Sequence, residues 1–403
     1  MNFDLIIPRE GSHCEKFDSK VEKFGTNDLF PLWVADMDFA TSKAIQEAIT
    51  KRIKHPIYGY TSFYELYFAA IKYWMNKQHQ WQISNRDIIP INGIVPALNL
   101  AVEQFTKKGD GVLIQTPIYP PFMNAIKHQS REILENRLQL INGRYEIDFV
   151  DFREKIKRAK LFLFCSPHNP TGRVWQKDEL EEIAKICYDY KVTIISDEVH
   201  ADLVYRGHKH TPIAMLEKAK DITITLNAPS KTFNVAGVVN AYAIAQNSSL
   251  KRRFEAIFTK YALINPNPFS IEITIAAYRQ SGLWLDQLQN YLEGNLNYLL
   301  HQLEQTPKIK PIKGEATFLL WLDCRDLNLN DHTMSNWFIK EAKLGLNSGI
   351  SFGAIGSGFM RINFALPRIV LKLAIKNLKD AYEKREKTLI EKSIEFPFLK
   401  KAP

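Results

Sequence analysis

Four loops of this chain end in residue types that could share one piece of carbonyl chemistry. They are an aromatic at Tyr119, an amide at Asn169, a carboxylate at Asp197 and an amine at Lys231. A lysine amine captures an aldehyde, and a buried carboxylate holds a proton on a heterocyclic nitrogen through opposite charge. An amide N–H satisfies a phenolic oxygen, and a tyrosine ring stacks on a flat aromatic face. These are the needs of pyridoxal phosphate (PLP), whose aldehyde, ring nitrogen, phenolic oxygen and ring face each ask for one such group. Taken alone, each residue is ordinary. An Asp after a strand often caps a turn, Asn169 to Gly172 reads as a simple turn, and Ser230-Lys231 is uninformative as a dipeptide.

Their common placement comes from the elements before them. The segments 111–115, 161–165, 192–196 and 222–226 are continuous apolar, β-rich runs, the pattern of strands buried on both faces of a parallel sheet. Each run leads directly into one of the four loops, and ligands of open parallel sheets bind at the carboxyl ends of the strands. Between the second and third runs, Leu180, Ile183, Ala184 and Cys187 share one helical face over 178–190, with Asp178 as the candidate cap. An α/β fold is expected, with a mostly parallel central sheet covered by helices on both faces. The pattern changes after about residue 275. A long helix is expected over 281–303, a strand over 317–322, a glycine-punctuated stretch over 345–358 and a last strand over 359–364. The expected division is an N-terminal segment 1–45 joining a small α+β domain, a large domain 46–274, and the remainder of the small domain over 275–403.

Composition agrees with a globular enzyme and excludes other classes. The 403 residues are 45% hydrophobic and 24% charged, close to the average of globular proteins. The apolar stretch Leu5 to Ile7 is too short for a secretory core, and no later run is long enough to span a bilayer, so a cytoplasmic protein with no membrane partner is expected. Cys14, Cys165, Cys187 and Cys324 lack metal-ligand or disulfide spacing, and no metal is expected. The net charge of +9 is spread along the chain. Its densest stretch, Lys372 to Lys392, overlaps Val370, Leu373, Ala374, Leu378, Ala381 and Tyr382 at helical spacing, as on the outer face of a terminal helix. A nucleic-acid-binding protein that retains a PLP domain is a rival reading, but neither a helix-turn-helix extension nor a basic arm is present, so no nucleic-acid partner is expected.

The order of the motifs resembles the fold-type I PLP-dependent enzymes of the aspartate aminotransferase superfamily: Asn169 to Gly172, Ser196 to Glu198, then Ser230 and Lys231. Within that group the chain is similar to the cystathionine β-lyase branch, the MalY/PatB-like enzymes. The similarity rests on the segments 33–39, 59–60, 92–95, 117–122, 197–202, 228–234 and 359–363.

The resemblance implies PLP on Lys231, with Asp197 and Tyr119 completing the candidate catalytic set. Gly93, Ile94 and Val95, which open a helix, would bind the phosphate through their N–H groups, with Ser230 adding a hydroxyl. Asn169 and His200 would sit at the phenolic oxygen, although a satisfied polar residue behind the pocket is an equal account of His200. Ala35 and Arg361 would bind the amino-acid substrate, Arg361 gripping its α-carboxylate as a bidentate fork. Tyr60 would reach the phosphate of a neighbouring subunit, making a homodimer with shared sites. Gly237 stands near where many aminotransferases carry a phosphate-binding arginine, and His200 where many carry a tyrosine; both departures fit the lyase branch better. The implied activity is β-cleavage of cystathionine or related S-substituted cysteines to a thiol, pyruvate and ammonia. The alternative is an aminotransferase of class I/II.

Overall fold

The computed structural model describes residues 1–395. Its centre is a seven-stranded sheet of β1 (Ile88–Ile91), β2 (Gly111–Thr116), β3 (Glu132–Arg137), β4 (Ala159–Cys165), β5 (Thr193–Asp197), β6 (Thr223–Asn227) and β7 (Ala241–Ile244). Their spatial order is β1-β7-β6-β5-β4-β2-β3. The five strands from β6 to β3 are mutually parallel, and only β7 runs against its two neighbours.

The four runs legible in the sequence are β2, β4, β5 and β6, and burial on both faces explains their unbroken hydrophobicity. Leu161, Leu163 and Cys165 of β4 join one apolar cluster with the helices Ile94–Phe105 and Pro120–Lys127, whereas Phe162 and Phe164 join another with the helix Lys177–Asp189. Helices therefore cover both sides, as expected.

A second, antiparallel sheet is built from Lys310–Ile312, Leu319–Asp323, Phe359–Asn363 and Asn347–Ser348, in that spatial order. It shares a large core with the helices Gly282–Leu303 and Arg368–Glu395. The N-terminal segment reaches this region through Phe30–Pro31, which pairs in parallel with Leu344–Gly345. The boundary drawn at 274/275 falls inside the helix Pro268–Gln280, which packs on helices at 43–53 and 65–79.

Several local expectations are corrected. Gln176, not Asp178, precedes the first turn of the helix Lys177–Asp189, because Glu179 reaches back to accept from the Gln176 backbone N–H at 2.7 Å. Asp178 sits within that first turn, where its charge suits the positive helix end. The strand expected from 317 starts at Leu319, since Thr317 has φ 75° and breaks the extended run. On the last helix Leu373 is exposed, and Leu371 and Ile375 instead join Ala374 and Leu378 in the core. Lys372, Lys376, Lys384 and Lys387 are exposed there, the solvated face that was expected. The side chain of Lys392 and residues 396–403 lie outside the described residues. Among the described residues no helix is long and apolar enough to cross a membrane.

Candidate active site

The carboxyl ends of β2, β4, β5 and β6 deliver their loops to one edge of the sheet. Tyr119 follows β2 and precedes the helix Pro120–Lys127, whose first residue is a proline preset for a helical start. Asp197 is the last residue of β5, and Lys231 lies in a single turn, Pro229–Thr232, just after β6. Across from them stands Arg361, in the middle of the strand Phe359–Asn363. Tyr119, Lys231 and Arg361 line one cleft of about 930 Å³ together with the loop from Trp33 to Phe39.

The Lys231 amine donates to the Ala35 carbonyl at 2.7 Å. Lys231 keeps some accessible surface, yet desolvation is the largest influence on its amine and pulls its pKa down, helped by Arg361 and opposed by Asp36 and Asp197. Asp197 is 6% exposed and accepts the Val199 N–H at 3.1 Å. Burial pushes its pKa up to about 7, against the Val199 bond and the Lys231 charge. His200 is also buried, with Nδ1 unpartnered, and burial next to Lys231 and Arg361 holds its pKa down to about 3, so the ring is neutral. Burial raises the Tyr119 phenol, against the pull of Arg361.

Arg361 is 3% exposed and has no carboxylate partner among the described residues. Its Nη1 donates to Asn169 Oδ1 at 3.1 Å, and its Nη2 donates to the Trp33 carbonyl at 2.9 Å and to Asn347 Oδ1 at 2.7 Å. The guanidinium also lies over the Phe352 ring at 5.0 Å. Burial lowers its pKa to about 10, and Nε has no partner at all. A buried cation in this state has room for an anion.

The remaining candidates are placed as follows. Gly93, at φ 103°, adopts a backbone conformation that side chains resist, and leads into the helix Ile94–Phe105 with no side-chain cap. Its first N–H groups, including those of Ile94 and Val95, are therefore left for an anion. Ser230 lies beside Lys231 in the same turn, and its hydroxyl makes no side-chain bond among the described residues. Tyr60 is wholly exposed and is absent from the cleft of its own chain.

These groups fit PLP. Desolvation pulls the amine's pKa below its ordinary value, the Asp197 carboxylate makes no ion pair among the described residues, and Asn169 spends its Oδ1 on Arg361, leaving Nδ2 to donate. A phosphorylated pyridine aldehyde would complement each of them.

Sequence reasoning missed the residues that hold the Trp33–Phe39 loop. Asn363 Nδ2 donates to the Val34 and Asp36 carbonyls, and Asn234 Nδ2 to those of Met37 and Phe39. Arg9 pairs with Asp36 and Asp38, and the fully buried Lys16 with Asp38 at 2.9 Å. Asn234 and Asn363 close two of the quoted motifs, and that was their only signal. Nothing local marked Arg9 or Lys16.

Comparison with known proteins places this geometry. The profile of the family described as aminotransferase class I and II matches residues 24–378. Cystathionine beta-lyase PatB of Bacillus subtilis is 40% identical over 94% of this chain and 100% of its own length. Cystalysin of Treponema denticola, solved with its pyridoxal 5'-phosphate cofactor, superposes with a TM-score of 0.92 at 37% identity, covering 95% of this chain and 99% of that one. The PLP-bound C-S lyase of Staphylococcus hominis gives 0.89 at 35% identity, over 95% and 98% of the two chains. With the fold-type I architecture, a lysine and a carboxylate-free arginine on one cleft and a buried carboxylate at the same sheet edge, the chain belongs to the class I and II aminotransferase family, in its cystathionine β-lyase branch.

Proposed function

We propose that this protein is a PLP-dependent carbon–sulfur β-lyase acting on cystathionine or related S-substituted cysteines. The observation that carries the reading is the placement of Lys231, Tyr119 and a buried, carboxylate-free Arg361 on one cleft, with Asn169 accepting from Arg361 and Asp197 at the same sheet edge. The preference for lyase over transaminase rests on the 40% identity to a cystathionine β-lyase along almost the whole chain.

PLP, when bound, would supply an aldehyde for the substrate amine and an electron-accepting ring for the bond broken at Cα. Asp197 would keep a proton on the ring nitrogen by opposite charge, and Tyr119 would cover the ring face. Asn169 and the neutral His200 would serve the phenolic oxygen. The helix start at Gly93, Ile94 and Val95, with the Ser230 hydroxyl, would hold the phosphate. Arg361 fixes the substrate carboxylate, while Ala35 presents its carbonyl to the Lys231 amine. Lys231 Nζ, whose pKa desolvation pulls down, takes the α-proton. The Cβ–S bond then breaks with loss of thiolate, and water completes the balance from cystathionine to homocysteine, pyruvate and ammonia.

The working unit is a homodimer. Ile57, Tyr58 and Tyr60 are exposed together, an apolar stretch that a second copy would cover while Tyr60 reaches the partner's phosphate. A cytoplasmic setting suits three buried free thiols, Cys165, Cys187 and Cys324.

The test is product analysis. Cystathionine alone should give pyruvate, read with a coupled dehydrogenase, and free thiol, read with a chromogenic disulfide, continuously and without a keto acid. Rapid amino transfer to an added keto acid with no thiol released would replace this reading by the aminotransferase one.

A further inference from the structure

The Arg361 fork is less available than its residue type suggests. A guanidinium has five N–H donors, two on each terminal nitrogen and one on Nε. Both hydrogens of Nη2 are committed, one to the Trp33 carbonyl and one to Asn347 Oδ1. Nη1 gives one to Asn169 Oδ1 and keeps one, while Nε is sealed from solvent without a partner. Neither edge of the fork can present two free, accessible N–H groups to a carboxylate. The bidentate grip expected from sequence is incomplete.

Asn347 supplies what is missing. Its strand, Asn347–Ser348, runs antiparallel to Phe359–Asn363, with Asn347 directly opposite Arg361. Because Oδ1 accepts from Arg361, the amide orientation is fixed, and its Nδ2 is the end left over. That nitrogen meets no acceptor among the described residues and is not sealed, and Asn347 lines the cleft.

We infer that Asn347 is a substrate-binding residue whose Nδ2 takes one oxygen of the α-carboxylate while the remaining Nη1 hydrogen of Arg361 takes the other. This rests on the amino-acid reading of the cleft given above. One charged and one neutral donor share the anion, so discrimination between a carboxylate and a neutral head group depends on both. The arrangement also explains why Arg361 tolerates so dry a setting. Its fork is held rigid by three oxygens before any substrate arrives.

The test uses holoenzyme and L-alanine, which has a carboxylate but no β-leaving group, with affinity followed by the cofactor absorbance. L-Alaninamide, lacking the carboxylate, is the control. A hydrogen bond to a charged group sets the expected loss for Asn347→Ala at about tenfold or more in alanine affinity, with alaninamide changed by less than about threefold. Asn347→Asp keeps the acceptor for Nη2 but replaces the donor by a charge, so alanine affinity should fall further, by roughly a hundredfold. Unchanged alanine affinity in Asn347→Ala overturns the inference, as does an equal loss for alanine and alaninamide. Loss of the cofactor from either variant also overturns it. If the wild-type enzyme binds alanine with this pattern yet releases no thiol from cystathionine, the lyase reading fails and the Asn347 assignment stands.

Discussion

Asp197 offers a direct measurement of how far the apoprotein is built around a missing cation. Its carboxyl has a folded pKa of about 7 against an ordinary 3.8, chiefly through burial. Below pH 3.8 both folded and unfolded chains hold the proton, and the group contributes nothing to stability. Between 3.8 and 7 the unfolded chain ionises first, so stability falls as pH rises, and above 7 the full loss is present. At about 1.4 kcal/mol per pH unit, the loss is about 2 kcal/mol at pH 5 and about 4 kcal/mol at pH 8. The perturbation is Asp197→Asn in cofactor-free protein, with urea unfolding at the two pH values. Wild type should lose roughly 2–3 kcal/mol more than the variant on going from pH 5 to pH 8. Restoring PLP should flatten the wild-type dependence, because a ring cation pulls the carboxyl back down. Equal pH dependence in the two proteins, within about 1 kcal/mol, would refute the claim that Asp197 is ionised at a cost that only a ligand removes.

Three further outcomes follow from the same site. Borohydride should fix the cofactor on the peptide that contains Lys231, and Lys231→Ala should abolish turnover with the unfolding midpoint little changed; a label elsewhere would contradict the assignment. Arg361→Lys should raise the KM for S-substituted cysteines by tenfold or more, since about 1.5–3 kcal/mol rests on charged hydrogen bonds that a point charge cannot all replace, with cofactor affinity preserved; the reverse pattern would assign Arg361 to the cofactor. Mixing inactive Tyr60→Ala and Lys231→Ala subunits should restore about a quarter of wild-type activity, because half the randomly paired dimers hold one intact site; no recovery in confirmed heterodimers would place Tyr60 in its own chain's site.

What the sequence disclosed depended on how locally each feature is encoded. β4 and β5 are apolar on both faces and announce themselves, whereas β3, Glu132–Arg137, at the sheet edge, has only Ile133 and Leu134 as apolar residues, side by side and without a period of two, and does not. β7 is a four-residue strand, too short for periodicity to mark, and its reversed direction is set by tertiary pairing. Lys231, Asn169 and Asp197 stood out as candidates because each lies at, or within four residues past, the end of a readable strand. Asn347 was not, because its meaning arises only across the sheet from Arg361. Asp178 was misread as a cap because it is a strong capping type, whereas its neighbour Glu179 reaches back to the Gln176 N–H and starts the helix two residues earlier.

The strand Phe359–Asn363 holds the Trp33–Phe39 loop by three of its carbonyls. Arg361 holds that of Trp33, and Asn363 holds those of Val34 and Asp36, on either side of Ala35. Arg361 and Asn363 lie on one face of the strand, about 7 Å apart along it. Strand and loop are thereby riveted into one plate, and the 2.7 Å contact from Ala35 to the Lys231 amine is where that plate meets the large sheet. The Arg361 guanidinium and the Lys231 amine are thus tied to one stretch of loop at carbonyls two residues apart, Trp33 and Ala35, so on the proposed reading the carboxylate-binding group and the proton-transfer atom share a single rigid mount.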